Sequence, residues 1–335
     1  MGIFDIRVEV FEFRNLNLKP DGYQGNDIVT GELFIDAKKE VKCESVSVTL
    51  IGEVNTKWTD YYADRHNCYD CDYDDSGMRF YRGCEPICND QTVFCGQSVI
   101  APGQYTHKFS FRIPARALPS FVGEPGGVSY TLKGVIGRSF LAKNKEVDLV
   151  IMVKGTHDLN RFPELLAANI ATGSQEVSGA CCSSYGNLTA QLHTPKMGFA
   201  VGESIQITAD VANNSQKVII GFAISLIECA NFIAFFEQER SEKSTAVALA
   251  TCQIAMTVHP QQQQRISTTF KIPSNVPAQI ISAIIKTNHV LELSATREGG
   301  KKGKPVGTVA RLPIVLGTVP VEKKPTEAGA NVPTK

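Results

Sequence analysis

The sequence predicts an all-β protein built from two β-sandwich domains. Short segments that alternate polar and apolar residues recur along all 335 residues, and turns rich in glycine, proline and asparagine separate them. A stretch rich in glycine and serine divides the chain near its middle. At about 150 residues per domain, the length fits two domains that can each bury a core.

The alternating segments are typical of strands with one buried face. The first runs from Arg7 to Phe13. Segments of the same kind are predicted at 42–54, 105–111, 128–136, 147–153, 204–211 and 265–272. Turn residues lie between them, as at Pro102-Gly103 and Asn213-Asn214. Many short strands with regular turns favour a sandwich or barrel over alternating strands and helices.

One long apolar segment, Val218 to Phe236, contains Glu228 and Asn231. An acid at a bilayer centre costs about 2.5–3.5 kcal/mol, so this segment is interpreted as two adjoining core strands or one long bent strand. Helix is predicted only at Pro163–Ile170, as one or two turns, with the proline at the first helical position.

The predicted organisation has two domains and a tail. The first domain covers 1–158, a connection covers 159–184, and the second domain covers 185–320. Residues 321–335 consist mostly of Lys, Pro, Glu and Ala, so we expect a short disordered C-terminal tail.

Composition and motifs argue against several classes of function. Lys and Arg number 34 and Asp and Glu number 34, and this zero net charge argues against a nucleic-acid partner. The N-terminus lacks the basic and apolar regions of a secretory signal, so we expect a cytoplasmic protein whose thiols are reduced. The sequence contains no GxSxG, HExxH, Walker A or GxGxxG motif, so we expect no enzyme.

Five of the ten cysteines fall within 60–95, which is interpreted as a cysteine-rich loop outside both cores. Four of them, Cys68, Cys71, Cys84 and Cys88, approximate the two close pairs of a four-thiolate zinc site. The alternative is an exposed acidic hairpin loop with free thiols. The sequence therefore predicts no cofactor unless these four cysteines bind zinc.

Two further features allow contact with a membrane. Cys181 and Cys182 lie in the predicted connection, where they are candidates for S-palmitoylation or are ordinary thiols. Lys301, Lys302 and Lys304 form a basic stretch, interpreted as a solvated hairpin tip or a weak contact with anionic lipid. Peripheral membrane association is an expectation from both.

A series of short motifs runs in a fixed order from Tyr23 to Pro320. They include Tyr23-x-Gly25-x-x-Ile28, Leu50-x-Gly52, Trp58-Thr59, Ile113-Pro114, Leu118-Pro119-Ser120-Phe121, Gly127-Val128-Ser129-Tyr130, Asp158-Leu159-Asn160, Gly202-Glu203-Ser204-Ile205, Asn213-Asn214-Ser215 and Leu312-Pro313-Ile314-Val315. In this order the chain resembles the arrestin-domain-containing proteins, the α-arrestins. The resemblance implies two arrestin-like, immunoglobulin-like β-sandwiches side by side, without catalysis.

The resemblance also implies an adaptor. Members of the family bind membrane receptors or transporters, and many recruit HECT-class ubiquitin ligases for endocytosis and sorting, with recruitment to the plasma membrane or endosomes. The family recruits ligases through P-P-x-Y motifs, and this sequence has no Pro-Pro pair. Any ligase is therefore expected to be reached indirectly. The alternative function is a metal-binding or redox-responsive regulatory protein that acts through the 60–95 loop.

Purified WW domains are predicted not to bind this chain through its tail, because the chain lacks the P-P-x-Y motif that they recognise. Fluorescence anisotropy with labelled WW domains measures this directly, with a P-P-x-Y peptide as the positive control. A micromolar complex that disappears when residues 321–335 are deleted would contradict the prediction.

Overall fold

The structure is a computed structural model that describes residues 8–62, 77–139, 142–179, 183–299 and 303–321. It divides the chain into two compact units. The first consists of residues up to 156 together with Ala230–Thr245 and Ile280–Thr287. The second consists of His157–Cys229, Ala246–Gln279 and the residues from Asn288 onward.

Ten strands follow one another in the first stretch of the chain. Their bounds are β1 (Val8–Arg14), β2 (Ile28–Ala37), β3 (Val41–Cys43), β4 (Ser45–Tyr62), β5 (Gly77–Cys95), β6 (Ser98–Ile100), β7 (Gly103–Arg112), β8 (Phe121–Val122), β9 (Gly126–Gly137) and β10 (Lys145–Ile151). β1, β2 and β7 form one antiparallel sheet in that order. β10, β9, β4 and β5 follow one another in a second.

One hydrophobic core joins the two sheets of the first unit. It includes Leu33 of β2, Leu50 of β4 and Leu132 of β9. The alternating burial of β9 shows why these strands form: every second side chain enters the core, and the intervening ones face away from it. Phe232 and Ile233, from much later in the chain, belong to the same core.

The later stretch of the chain begins with two 3-10 helices, Leu159–Arg161 and Pro163–Leu166. Its strands are β11 (Asn169–Ser178), β12 (Ser184–Thr194), β13 (Gly198–Ala200), β14 (Ser204–Ser215), β15 (Ile219–Phe236), β16 (Glu239–Ile254), β17 (Gln263–Lys271), β18 (Ile285–Arg297) and β19 (Lys304–Gly317). One sheet has the order β11-β12-β14-β17; in the other, β15, β18, β19 and β13 are successive neighbours and β16 also pairs with β15.

The structure confirms the all-β fold class with two sandwich domains. The apolar segment at 218–236 forms one long strand, β15, which is one of the two structures that the sequence predicts for it. Within the described ranges, no helix is long and apolar enough to cross a membrane. The helix predicted at Pro163–Ile170 is shorter than expected, because its helical part ends at Leu166 and β11 begins at Asn169.

The prediction that 159–184 is only a connection is wrong, because β11 lies within it and pairs with β12. β11 buries few side chains, so its sequence carries the glycine, serine and threonine of an exposed strand rather than a strong apolar pattern. Cys181 and Cys182 lie outside the described residues, as does the predicted tail beyond Val321.

The prediction that 60–95 is a loop outside both cores is wrong for residues 77–95. These residues form β5, which pairs with β4 from Tyr62↔Gly77 to Val46↔Cys95. Tyr81 is buried and its ring stacks on Trp58, with centroids 6.0 Å apart. The strand was hidden because only one face contacts the core and because Pro86 lies at a bulge, where a missing N–H is tolerated.

A buried contact between two polar side chains lies inside the second unit. Glu228 of β15 and His289 of β18 place Oε2 and Nε2 3.6 Å apart, with side chains 9% and 0% exposed. Among the described residues, neither ring nitrogen of His289 has a hydrogen-bond partner. In the same described part of the chain, Glu228 Oε2 also has no hydrogen-bond partner, so the 3.6 Å contact joins two buried atoms that lack one.

Glu228→Ala is predicted to lower the free energy of unfolding by about 1–3 kcal/mol, because it removes the carboxylate that lies 3.6 Å from the buried imidazole of His289. Replacing both residues by leucine should cost much less, since an apolar pair needs no polar partner. Urea unfolding measures both values. Glu292→Ala is the control: its pair with Arg311 at 3.0 Å is partly exposed and should be worth less than about 1 kcal/mol. Equal losses in the single and double variants would contradict the prediction.

Candidate functional site: a cleft in the first unit

The first unit contains an open cleft of about 1290 Å³. Residues from four parts of the chain line it, all within the first 156 residues. They are Asn55–Lys57 of β4 with Arg82–Cys84 of β5, Ser120–Ser129 around β8 and the start of β9, and Val150–Met152 at the end of β10.

A tight turn between β8 and β9 forms one side of the cleft. Gly123 and Gly126 exchange two backbone hydrogen bonds of 3.0 Å, and the Glu124–Pro125 peptide between them is cis. The backbone N–H of Lys57 donates to Pro125 O at 2.9 Å, which holds the turn against β4. Gly126 permits the close approach, because a Cβ there would lie 2.5 Å from Asn55 O.

The short strand β8 orients two side chains oppositely. Phe121 is buried and its ring stacks on Phe232, with centroids 6.3 Å apart. Val122 is the next residue and is 97% exposed. This alternation follows from the pleat of a strand. Phe121 therefore anchors β8 in the core, and Val122 faces the cleft.

The cleft has an apolar rim, made of Val122, Val150 and Met152. Val150 is 71% exposed and Met152 is 61% exposed. Single exposed apolar residues are ordinary on a protein surface, but several at one concavity mark an interaction site. The rim therefore provides contact surface for apolar groups of a partner.

Two cations face each other across β4 and β5 in the cleft. Lys57 and Arg82 are direct partners in the antiparallel register, so their Cβ atoms lie about 4.5–5.5 Å apart on one face. Neither forms an ion pair with any carboxylate of the described residues, and Glu124 is the acidic residue of the lining. Like charges directly opposite destabilise a sheet. The pair, which we call the Lys57–Arg82 pair, favours an anionic partner.

Cys84 also lines the cleft, whereas Cys88 does not. Cys84 Sγ lies 3.9 Å from Glu53 Oε2. Cys88 packs beside Tyr130 on the core face, where an added Cβ on Gly52 would lie 2.8 Å from both side chains. Tyr130 in turn donates its hydroxyl to Leu118 O at 2.8 Å.

The strand therefore does not bring Cys84 and Cys88 together. Their partners on β4 are Asn55 and Gly52, three positions apart, so the thiols face opposite sides of the sheet, about 10 Å apart along it. Two thiolates on one zinc ion lie within about 4 Å of each other. The four-cysteine zinc site stays a prediction, because Cys68 and Cys71 lie outside the described residues, but the geometry of β5 counts against it.

The environment also keeps both thiols protonated. Partial burial raises the pKa of Cys84, and the Glu53 carboxylate raises it further. Burial and Asp90 raise the pKa of Cys88, although the backbone of Gly52 opposes this. Thiolate is the form that attacks electrophiles and binds metals. Neither thiol is therefore prepared as a nucleophile or as a ready zinc ligand.

The sequence identifies Cys84 and Cys88 as candidate site residues, but it does not identify the Lys57–Arg82 pair or the apolar rim. Nothing local marks the pair, because it depends on a cross-strand register between residues that a long segment separates. The alternation of β10 around Val150 was visible, but the exposed side of an alternating strand is ordinarily polar.

Comparisons with known proteins agree with the fold. The family model described as "Arrestin (or S-antigen), N-terminal domain" matches residues 14–160, and that of the C-terminal domain matches residues 184–321. Arrestin domain-containing protein 17 of Caenorhabditis elegans is 26% identical over 63% of this chain and 50% of its own length. Arrestin domain-containing protein 1 of Rattus norvegicus is 22% identical over 72% of this chain and 52% of its own.

A third relative covers nearly the whole chain. Arrestin domain-containing protein 5 of Bos taurus is 21% identical over 92% of this chain and 91% of its own length. The chain thus spans about half the length of the first two relatives and most of the third.

Glu53→Gln is predicted to speed alkylation of Cys84 by iodoacetamide severalfold near neutral pH. Removing the carboxylate beside the sulfur lowers the pKa of the thiol, and the rate follows the thiolate fraction. Mass spectrometry of the peptide that contains Cys84 measures the rate. Asp90→Asn is the matched control, since Asp90 acts on Cys88. An unchanged rate in Glu53→Gln, or the same acceleration in Asp90→Asn, would refute the assignment.

Proposed function

Because the chain belongs to the arrestin family, we propose that it is a non-catalytic adaptor that binds membrane receptors or transporters as cargo. It links this cargo to trafficking, endocytosis or ubiquitination machinery. The observation that supports a binding role most directly is the Lys57–Arg82 pair in the cleft. A cytoplasmic segment of the cargo occupies this cleft in an extended conformation.

The charge of the cleft indicates what the segment carries. Two cations that face each other without carboxylate partners gain most from a ligand that places a negative charge between them. The planar guanidinium of Arg82 binds a carboxylate through two parallel hydrogen bonds, and the ammonium of Lys57 adds a point charge. The cargo segment therefore contains acidic residues.

The rim indicates the second requirement. Val122, Val150 and Met152 lose exposed apolar surface when aliphatic side chains cover them. In an extended segment that alternates aliphatic and acidic residues, the aliphatic side chains contact the apolar rim and the acidic side chains contact the Lys57–Arg82 pair. The Lys57–Arg82 pair sets the position of such a segment and the rim adds affinity.

The cellular location in this proposal is the one that the family resemblance implies. The adaptor is cytoplasmic and moves to the plasma membrane or endosomes when its cargo is there. Ubiquitin ligases are reached through the cargo or through another adaptor, because the chain has no Pro-Pro pair for direct recruitment. Peripheral contact with the membrane through Cys181, Cys182 or Lys301–Lys304 is a further part of the proposal.

A fluorescein-labelled peptide of alternating valine and glutamate, VEVEVEV, is predicted to bind at least tenfold more tightly than VKVKVKV. The Lys57→Glu, Arg82→Glu double variant should remove this preference, because it reverses the charge of the pair. Anisotropy at low ionic strength measures the binding, and added salt should weaken it.

The matched control for this titration is Lys39→Glu, Lys42→Glu. These two lysines are exposed residues of the first unit outside the cleft, so the net charge changes equally. An equal loss of binding in this control would mean that overall charge, rather than the cleft, selects the peptide. Binding of neither peptide would overturn the cleft as the cargo site.

Proximity labelling in cells tests the cargo itself. The native chain should label integral membrane proteins that the charge-reversed double variant does not label, while the Lys39→Glu, Lys42→Glu control labels them normally. A set of labelled proteins without receptors or transporters would contradict the adaptor role even if the peptide binds.

A further inference from the structure

β16 has one open edge. It pairs with β15, and no other strand of the described ranges hydrogen-bonds to its second side. From Ser244 to Ile254 it contains no charged residue, no proline and no glycine. Its charged residues, Glu239, Arg240, Glu242 and Lys243, all lie at its beginning.

Such an edge is unusual, because proteins ordinarily protect exposed strand edges. They do so with lysine, proline, a short strand or a covering element. Three consecutive residues in the middle of this strand, Ala246, Val247 and Ala248, are exposed, and Val247 is 53% exposed. The unpaired N–H and C=O groups of this part of the strand are therefore available to another strand.

The sequence of the edge is self-complementary. Thr245 to Thr251 reads TAVALAT, which is symmetric about Ala248 except that valine on one side corresponds to leucine on the other. In an antiparallel pair of two copies centred on Ala248, Thr245 lies opposite Thr251 and Val247 lies opposite Leu249. β-branched and aliphatic side chains are favourable cross-strand partners.

The flanks are also compatible with this register. Lys243 falls opposite Gln253, and Ser244 falls opposite Cys252, so no like charges meet. The net charge of the whole chain is zero, so two copies do not repel each other over a distance.

We propose that two copies of this chain form a symmetric dimer by antiparallel pairing of their β16 edges, with the twofold axis at Ala248. The interface is isologous, because each residue before Ala248 contacts the equivalent residue after it in the other copy. A second copy is favoured as the partner because the near-symmetry of TAVALAT places residues of the same chemical class opposite each other along the pair, threonine against threonine and aliphatic against aliphatic.

The twofold axis gives a sharp test. Ala248→Lys places two lysines directly opposite each other, and Ala248→Glu does the same with two glutamates. Each variant alone should raise the dimer dissociation constant at least tenfold, whereas an equal mixture of the two should dimerise again as a Lys–Glu heterodimer. Sedimentation velocity of the full chain over two decades of micromolar concentration, with reductant, measures all three samples.

Gln264→Lys is the matched control. It adds one charge to an exposed residue of β17, the edge strand of the other sheet of the second unit, and should leave dimerisation unchanged. Recovery in the Lys–Glu mixture also shows that both variants are folded. Hydrogen exchange should show protection of 245–251 that increases with concentration in the native chain.

Three results would overturn the proposal: a monomeric native chain over this range, dimerisation of Ala248→Lys equal to that of the native chain, or an equal mixture that stays monomeric. Protection of 245–251 by the VEVEVEV peptide, without any effect of protein concentration, would mean that a foreign peptide occupies the edge. It would overturn the dimer, whereas failure of the cleft would be seen separately, as an unchanged peptide preference in the Lys57→Glu, Arg82→Glu variant.

Discussion

The register of β4 between its two neighbours is the constraint on which the first unit depends. β9 pairs with one edge of this strand and β5 with the other, over most of its length. Val48 and Leu50 enter the core on one face, and Lys57 lies on the opposite face. Because side chains alternate strictly, a slip of one residue would exchange the two faces and expose the core.

That register also creates the chemistry of the cleft. The bulge opposite Gly52 and Glu53 shifts β5 by one residue, so Cys84 and Cys88 face different sides although four positions separate them. The same ladder sets Arg82 against Lys57. The backbone pairing of the two strands therefore holds the two cations opposite each other. The repulsion between them is offset by the core packing that the same register allows.

The sequence predicted the parts of the fold that depend on local patterns. Alternation located strands such as β9, and Glu228 within the apolar segment correctly argued for a core strand at β15. The alternating pattern did not identify β11, in which few side chains are buried, or β5, which contains a proline and many polar residues. The Lys57–Arg82 pair could not be found, since it exists only after a non-local register is fixed.

The core of the first unit is discontinuous in the chain, and this orders events during synthesis. Phe232, Ile233 and Ile284 belong to that core, but they are translated long after residue 156. When the ribosome has released only the first 156 residues, the nascent sandwich lacks part of its interior and keeps apolar surface exposed to chaperones. Completion of the first unit must wait until most of the second has emerged, so the two sandwiches mature together rather than in succession.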